Sequence, residues 1–214
     1  MNLSQIDLFA AGAAVLAVWM CGVTHVKTQL WGLMLQTALL AGICVLLGIQ
    51  ETSFHLLIMA LVVFLVKALG IPIFLQMSSR KMGIERDKGV NINPTLNLMV
   101  GCGLLYLGYF LALDFAVPEM MNQGSAGMAL SLIFIGMLLM ITRRLAISQV
   151  VGFLTMENGI FLYSVTQTRH MPFLLDMGIV FEVLIAVLIA GVFIFRINRS
   201  FEHIDVTNMR GLRH

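Results

Sequence analysis

Leu61-Val62-Val63-Phe64-Leu65-Val66-Lys67-Ala68-Leu69-Gly70-Ile71-Pro72 carries one charge inside a run of apolar side chains. The run extends both ways, over about residues 53–76. A helix needs roughly 20 such residues to cross a hydrocarbon core of about 30 Å. Lys67 lies more than ten residues from Thr52 and ten from Met77, too far from either end to snorkel easily. The stretch therefore reads as a membrane span with a lysine buried in it. It gives the fold class: all-α and integral to the membrane.

Composition agrees. Of 214 residues, 59% are hydrophobic and 11% charged, and mean hydropathy is +0.95. A soluble domain carries about 25% charged residues. The net charge of +2 gives no reason to expect nucleic acid. Cys21, Cys44 and Cys102 all lie in apolar runs and form no C-x-x-C pair, so they read as small buried residues. His25 and His55 fall near opposite faces of the membrane, a poor placement for a haem pair. No metal and no cofactor is expected. The N-terminus has no basic segment and carries Asp7 ahead of its apolar stretch, so it reads as the first span, not a signal peptide.

Seven runs qualify as spans: 6–25, 29–49, 53–76, 95–116, 124–142, 146–167 and 174–196. Seven spans put alternate loops on opposite sides, and the basic residues then segregate. Lys27, Arg80, Lys81, Arg86, Lys88, Arg143, Arg144, Arg196, Arg199, Arg210 and Arg213 fall on one side, and only Arg169 on the other. The positive-inside rule places the C-terminus in the cytoplasm and the N-terminus outside. The expected organisation is a four-helix region over 1–120 and a three-helix region with a cytoplasmic tail over 121–214. No loop is long enough to fold alone, so the chain holds no soluble catalytic domain and no catalytic site of its own.

Two more ionisable residues lie in mid-span: Glu157, in Gly152-Phe153-Leu154-Thr155-Met156-Glu157-Asn158-Gly159, and Glu182, in Ile179-Val180-Phe181-Glu182-Val183-Leu184. Each buried charge costs on the order of 3 kcal/mol on insertion scales, which argues for pairing or for function. Lys67 can pair with one glutamate and pin the packing. Alternatively the three form a proton relay, because a low dielectric penalises the charged forms of carboxylates and ammonium groups and so favours exchange. Gln36, Gln149 and Asn158 are candidate supporting polar groups. Pro72 would free the carbonyl of Ala68 beside the lysine.

The stretch Arg143-Arg144 through Gly152–Gly159 resembles the E-type membrane subunit of group-4 membrane-bound hydrogenases, the formate hydrogenlyase and hydrogenase-4 kind. Lys67 with Pro72, Glu182 in the last span, and the tail Ile204-Asp205-Val206-Thr207-Asn208-Met209-Arg210-Gly211 share the resemblance. From about residue 125 the chain also looks like the K subunit of respiratory complex I and the C subunit of multisubunit cation/proton antiporters. Those proteins have three helices, with a carboxylate in each of the last two. The resemblance implies a non-catalytic subunit in a bacterial or archaeal cytoplasmic membrane, between antiporter-like membrane subunits and a hydrogenase or quinone-type redox module. It implies that Glu157, Glu182 and Lys67 join a midplane proton path. A structural adaptor that conducts no protons is the alternative. Helices 1–3 can be read as a degenerate copy of the K-like unit, with Gln36 and Lys67 in place of its carboxylates.

Overall fold

The structure, a computed structural model, describes residues 3–81, 86–87, 93–114 and 123–167. Its elements are α1 (Leu3–Gly22), α2 (Val26–Gln50), α3 (Phe54–Val62), a π-helical segment (Val63–Gly70), α4 (Ile71–Lys81), α5 (Pro94–Asp114), α6 (Gln123–Thr142) and α7 (Ala146–Gln167). The segments α3, π and α4 follow one another without a break and form a single rod. At about 1.5 Å per residue, helices of 20–25 residues match the hydrocarbon thickness.

Among the described residues, five helices are long and apolar enough to cross a membrane: Gln5–Gly22, Val26–Gln50, Leu56–Arg80, Pro94–Asp114 and Gln123–Thr142. α7 has the length, with 22 residues. Ser148, Gln149, Glu157, Asn158 and Gln167 make it less apolar than the other five. The expected seventh span, 174–196 with Glu182, lies outside the described residues.

The rod over Phe54–Lys81 departs from a plain helix where Pro72 requires it. Proline has no N–H, and its ring strikes the carbonyl four residues back, here that of Ala68. The chain widens in the turns before it. Val63–Gly70 takes π-helical bonding, and the Ile71 N–H donates to the Val66 carbonyl, five residues back. Lys67 sits inside this widened segment. Extended π-helix is rare and concentrates at functional sites.

α6 and α7 form an antiparallel pair in one register along their whole length. A side-chain carbon at Gly136 would collide with the backbone nitrogen of Met156. One at Gly159 would lie 2.7 Å from the Ala129 carbonyl oxygen and 2.8 Å from the Ile133 nitrogen. Small residues let the backbones approach this closely, which is how helices associate where lipid removes the hydrophobic drive. At the far end of the pair the Gln167 amide donates to Ser125 Oγ at 3.3 Å. α7 therefore reaches both ends of the bundle despite its polarity.

Three connections meet at one end. The Asp87 N–H donates to the Thr24 carbonyl at 2.8 Å, His25 and Arg86 form a β-bridge, and the Leu145 N–H donates to Asp87 Oδ2 at 3.3 Å. Arg143 Nη2 donates to the carbonyls of Met20 and Cys21, at 3.0 and 2.9 Å. Asn97 Nδ2 donates to the same Cys21 oxygen at 2.9 Å. The last carbonyls of α1, which a helix cannot satisfy itself, are thus held by a buried cation at the negative end of the helix dipole. Burial lowers the Arg143 pKa below its ordinary value, against the opposing effect of the Asp87 carboxylate. Lys27, Arg80, Arg86 and Arg144 are exposed at this end. Cys21 and Cys44 are buried as expected, but Cys102 is exposed on α5, whose outer face is mostly free of neighbours in the chain.

Candidate functional site: a buried polar layer at mid-depth

Lys67 lies near the centre of the Phe54–Lys81 rod, Gln36 and Thr37 near the centre of α2, and Glu157 and Asn158 near the centre of α7. The helices alternate in direction, so these positions share one level. Lys67 Nζ lies 3.5 Å from Glu157 Oε1, with side chains 2% and 9% exposed. The two charges whose partnership sequence leaves open are therefore partners. Breaking a pair this deeply buried costs about 3–5 kcal/mol.

Asn158 extends the layer. Its Nδ2 donates to Gln36 Oε1 and to Thr37 Oγ1, each at 3.1 Å. Gln36 Nε2 donates onward to the Ala13 carbonyl of α1 at 3.2 Å, and Thr37 Oγ1 to the Leu33 carbonyl at 2.9 Å. Asn158 and Gln36 are fully buried. Consecutive residues on a helix point about 100° apart. α7 therefore addresses the π segment with Glu157 and α2 with Asn158. The chain runs Lys67, Glu157, Asn158, Gln36, Ala13 across four helical elements: an ion pair joins the first two, the backbone the next two, and hydrogen bonds the rest.

Of the three expected ionisable side chains the layer holds two, Lys67 and Glu157, with Asn158 and Gln36 in support; Glu182 falls outside the described residues. Gln149 does not belong to it. It is exposed near the Arg143 end and donates to the Arg143 carbonyl at 3.0 Å. Nine residues of helix, about 13 Å, separate it from Asn158. Two members escaped the sequence reading as site residues. Thr37 was visible only as one more intramembrane hydroxyl. Phe161, whose ring centroid lies 5.6 Å from Lys67 Nζ, is one helical turn beyond Glu157. That i, i+4 spacing was the available signal. Among the described residues no group of His, Cys, Asp and Glu could hold a metal ion.

This layer belongs to a chain with relatives along nearly its full length. An uncharacterized protein of Mycobacterium tuberculosis, Rv0085, is 30% identical over 222 aligned residues, covering 99% of this chain and 98% of the relative. The chain belongs to the family of that mycobacterial protein. Hydrogenase-4 component E of Escherichia coli K12 is a more distant homologue, 23% identical over 179 residues and 83% of each chain. The component E of Shigella flexneri matches to the same extent. No protein-family model and no solved structure matches the chain. The 83% coverage extends the hydrogenase-like resemblance well beyond any single motif, and it fits a multi-pass membrane subunit.

Proposed function

We propose that this protein is a non-catalytic membrane subunit of a complex I-like redox complex, and that its mid-depth polar layer is part of that complex's proton path. One observation carries the reading: Lys67 and Glu157, both buried, lie 3.5 Å apart at the centre of the bundle. Midplane ionisable groups of this kind mark proton relays in pumps. A charge change nearby acts strongly on a buried carboxylate–ammonium pair, because the surrounding dielectric is low. Asn158 and Gln36 fix the rotation of α7 and α2 and so the place of Glu157. They orient the site, since amides hold their protons.

The homology to component E of hydrogenase-4 supports membership of a multisubunit membrane assembly. Its partners in this reading are antiporter-like subunits on one side and a hydrogenase or quinone-type module on the other. We take the chain to make seven spans, with Glu182 on the last, in a cytoplasmic membrane with the C-terminus inside. The gathering of Lys27, Arg80, Arg86 and Arg144 at one end supports that orientation. The three-helix region over 121–214 is taken as the K-like part.

A structural adaptor is the second reading: the buried Lys67–Glu157 pair can pin helix packing without moving a proton. Glu157→Gln and Glu182→Gln in the assembled complex separate the two. The relay reading expects an intact complex on native gels and loss of redox-driven proton uptake by inverted vesicles. Intact assembly with normal uptake in both variants refutes the relay. Failure of assembly alone is the adaptor's signature.

A further inference from the structure

We propose that the outer face of α5 is an interface, and that it takes a transmembrane helix of another subunit which presents a hydrogen-bond acceptor at mid-depth. The inference rests on the multisubunit reading above and adds where that partner sits. α5 has two unlike sides. Asn97, Gly101, Gly108 and Ala112 are buried and share the side packed on α1 and α6. Met99, Gly103, Tyr106 and Phe110 recur on the opposite side, at i, i+4, i+7 and i+11, and all four are exposed. Among the described residues α5 is the least covered of the five apolar spans: 22% of it is buried, against 44–50% of the others.

Lipid satisfies a face that is only apolar, but Tyr106 and Gly103 ask for more. Tyr106 is 70% exposed. It lies twelve residues after Pro94 and eight before Asp114, about 18 and 12 Å from the ends of the span. A second contact gives the same depth: Ser131, near the centre of α6, donates to the Leu105 carbonyl at 2.9 Å. Helical side chains lean towards the N-terminus, so Tyr106 leans towards mid-span and away from its nearer end. Phe110 stacks on it, with ring centroids 6.3 Å apart. Tyrosines that face lipid gather at the membrane surfaces, where the hydroxyl reaches water. Among the described residues nothing accepts a hydrogen bond from the Tyr106 hydroxyl, and hydrocarbon penalises it in that state. A carbonyl, hydroxyl or carboxylate on a facing helix removes the penalty. Gly103 lies one turn earlier on the same face. A side-chain carbon there would meet nothing within 4 Å, so no packing among the described residues requires a glycine. A glycine does leave a notch into which a second helix backbone can settle, as small residues do where helices associate in lipid. Notch and hydroxyl together fit one crossing helix.

A photo-reactive p-azidophenylalanine in place of Tyr106, irradiated in native membranes and mapped by mass spectrometry, should crosslink to a transmembrane segment of another subunit. Crosslinks to lipid alone, to a second copy of this chain or within the chain overturn the inference. Two variants test the contact itself, in the complex purified through a tag on this chain. Gly103→Leu fills the notch and should lower recovery of the partner subunits about tenfold. Tyr106→Phe removes only the hydroxyl and should lower it about threefold. The thermal melt of the purified chain should stay at the parent's value in both. Parental recovery with both variants overturns the inference. A lowered melt takes that variant out of the comparison and leaves the crosslink, formed in an otherwise native chain, to decide. If the tagged parent recovers no other membrane subunit, the multisubunit reading itself fails. If it recovers them and position 106 does not crosslink to them, only the assignment of α5 fails.

Discussion

Glu157→Gln leaves the shape of the side chain and removes its charge, which makes it a direct probe of the pair with Lys67. At 3.5 Å and an effective dielectric constant of ~20, the attraction is roughly 5 kcal/mol. The amide retains part of this as a hydrogen bond, and about 3–5 kcal/mol is the expected loss when one partner of a buried pair is removed. For a chain of this size that corresponds to a fall in Tm of roughly 6–20 °C. Lys67→Met should cost a similar amount, because it removes the other member of the pair. The double variant is decisive. With both members of the pair neutralised, Lys67→Met/Glu157→Gln should melt within about 2 kcal/mol of the parent, above either single variant. Thermal melts of the detergent-purified chain, followed by fluorescence-detected size exclusion, give all four corners of the cycle. If the double variant loses the sum of the two singles to within ~0.5 kcal/mol, the residues are independent and the mid-depth pair does not exist.

Three further outcomes follow from the packing. Asn158→Leu strands the Gln36 oxygen and the Thr37 hydroxyl it served and should cost about 1–3 kcal/mol in the same melts; adding Gln36→Leu should recover part of the loss. Gly136→Val drives a side chain into the Met156 backbone and should remove the protein from the membrane fraction on immunoblots, whereas Gly103→Ala, with nothing within 4 Å, should leave its level unchanged. Arg143→Met removes both hydrogen bonds to the end of α1 and should lower stability by roughly 2–3 kcal/mol; Arg143→Lys should restore no more than half of that, because one ammonium lacks the planar fork.

What sequence made legible was depth. Lys67 and Glu157 sit where run length and loop position place them, near the centres of their helices. The boundaries moved by only a few residues: the first helix ends at Gly22 where the apolar run suggested 25, and the third reaches Lys81 where it suggested 76. The sharp α6–α7 corner at Arg143-Arg144 holds. The role of that corner was not legible. Arg143 reads from sequence as one more loop cation, yet it is 4% exposed and caps a helix more than a hundred residues away in the chain. Asp87, in the polar stretch between the third and fourth spans, is likewise 0% exposed and accepts from the Leu145 N–H. A surface charge and a buried cap have identical local sequence context; only the tertiary partner separates them.

Partnership at mid-depth was illegible for a different reason. Depth follows from counting residues, but which helix a side chain faces depends on its angle around the axis, and angle depends on every turn before it. At 100° per residue a single change of bonding pattern moves the next side chains onto another neighbour. The π segment makes such a change at Val63, four residues ahead of Lys67. Its cause, Pro72, lies five residues behind, so the direction of the lysine is set by a residue in the following turn. The proline that looked like a source of one free carbonyl is better understood as the device that turns Lys67. Replacing Pro72 should therefore disturb the Lys67–Glu157 pair with neither partner altered. In a Pro72→Ala background the coupling measured by the same double-variant cycle should shrink towards zero. If it persists unchanged at several kcal/mol, the π segment follows from the pair and does not create it.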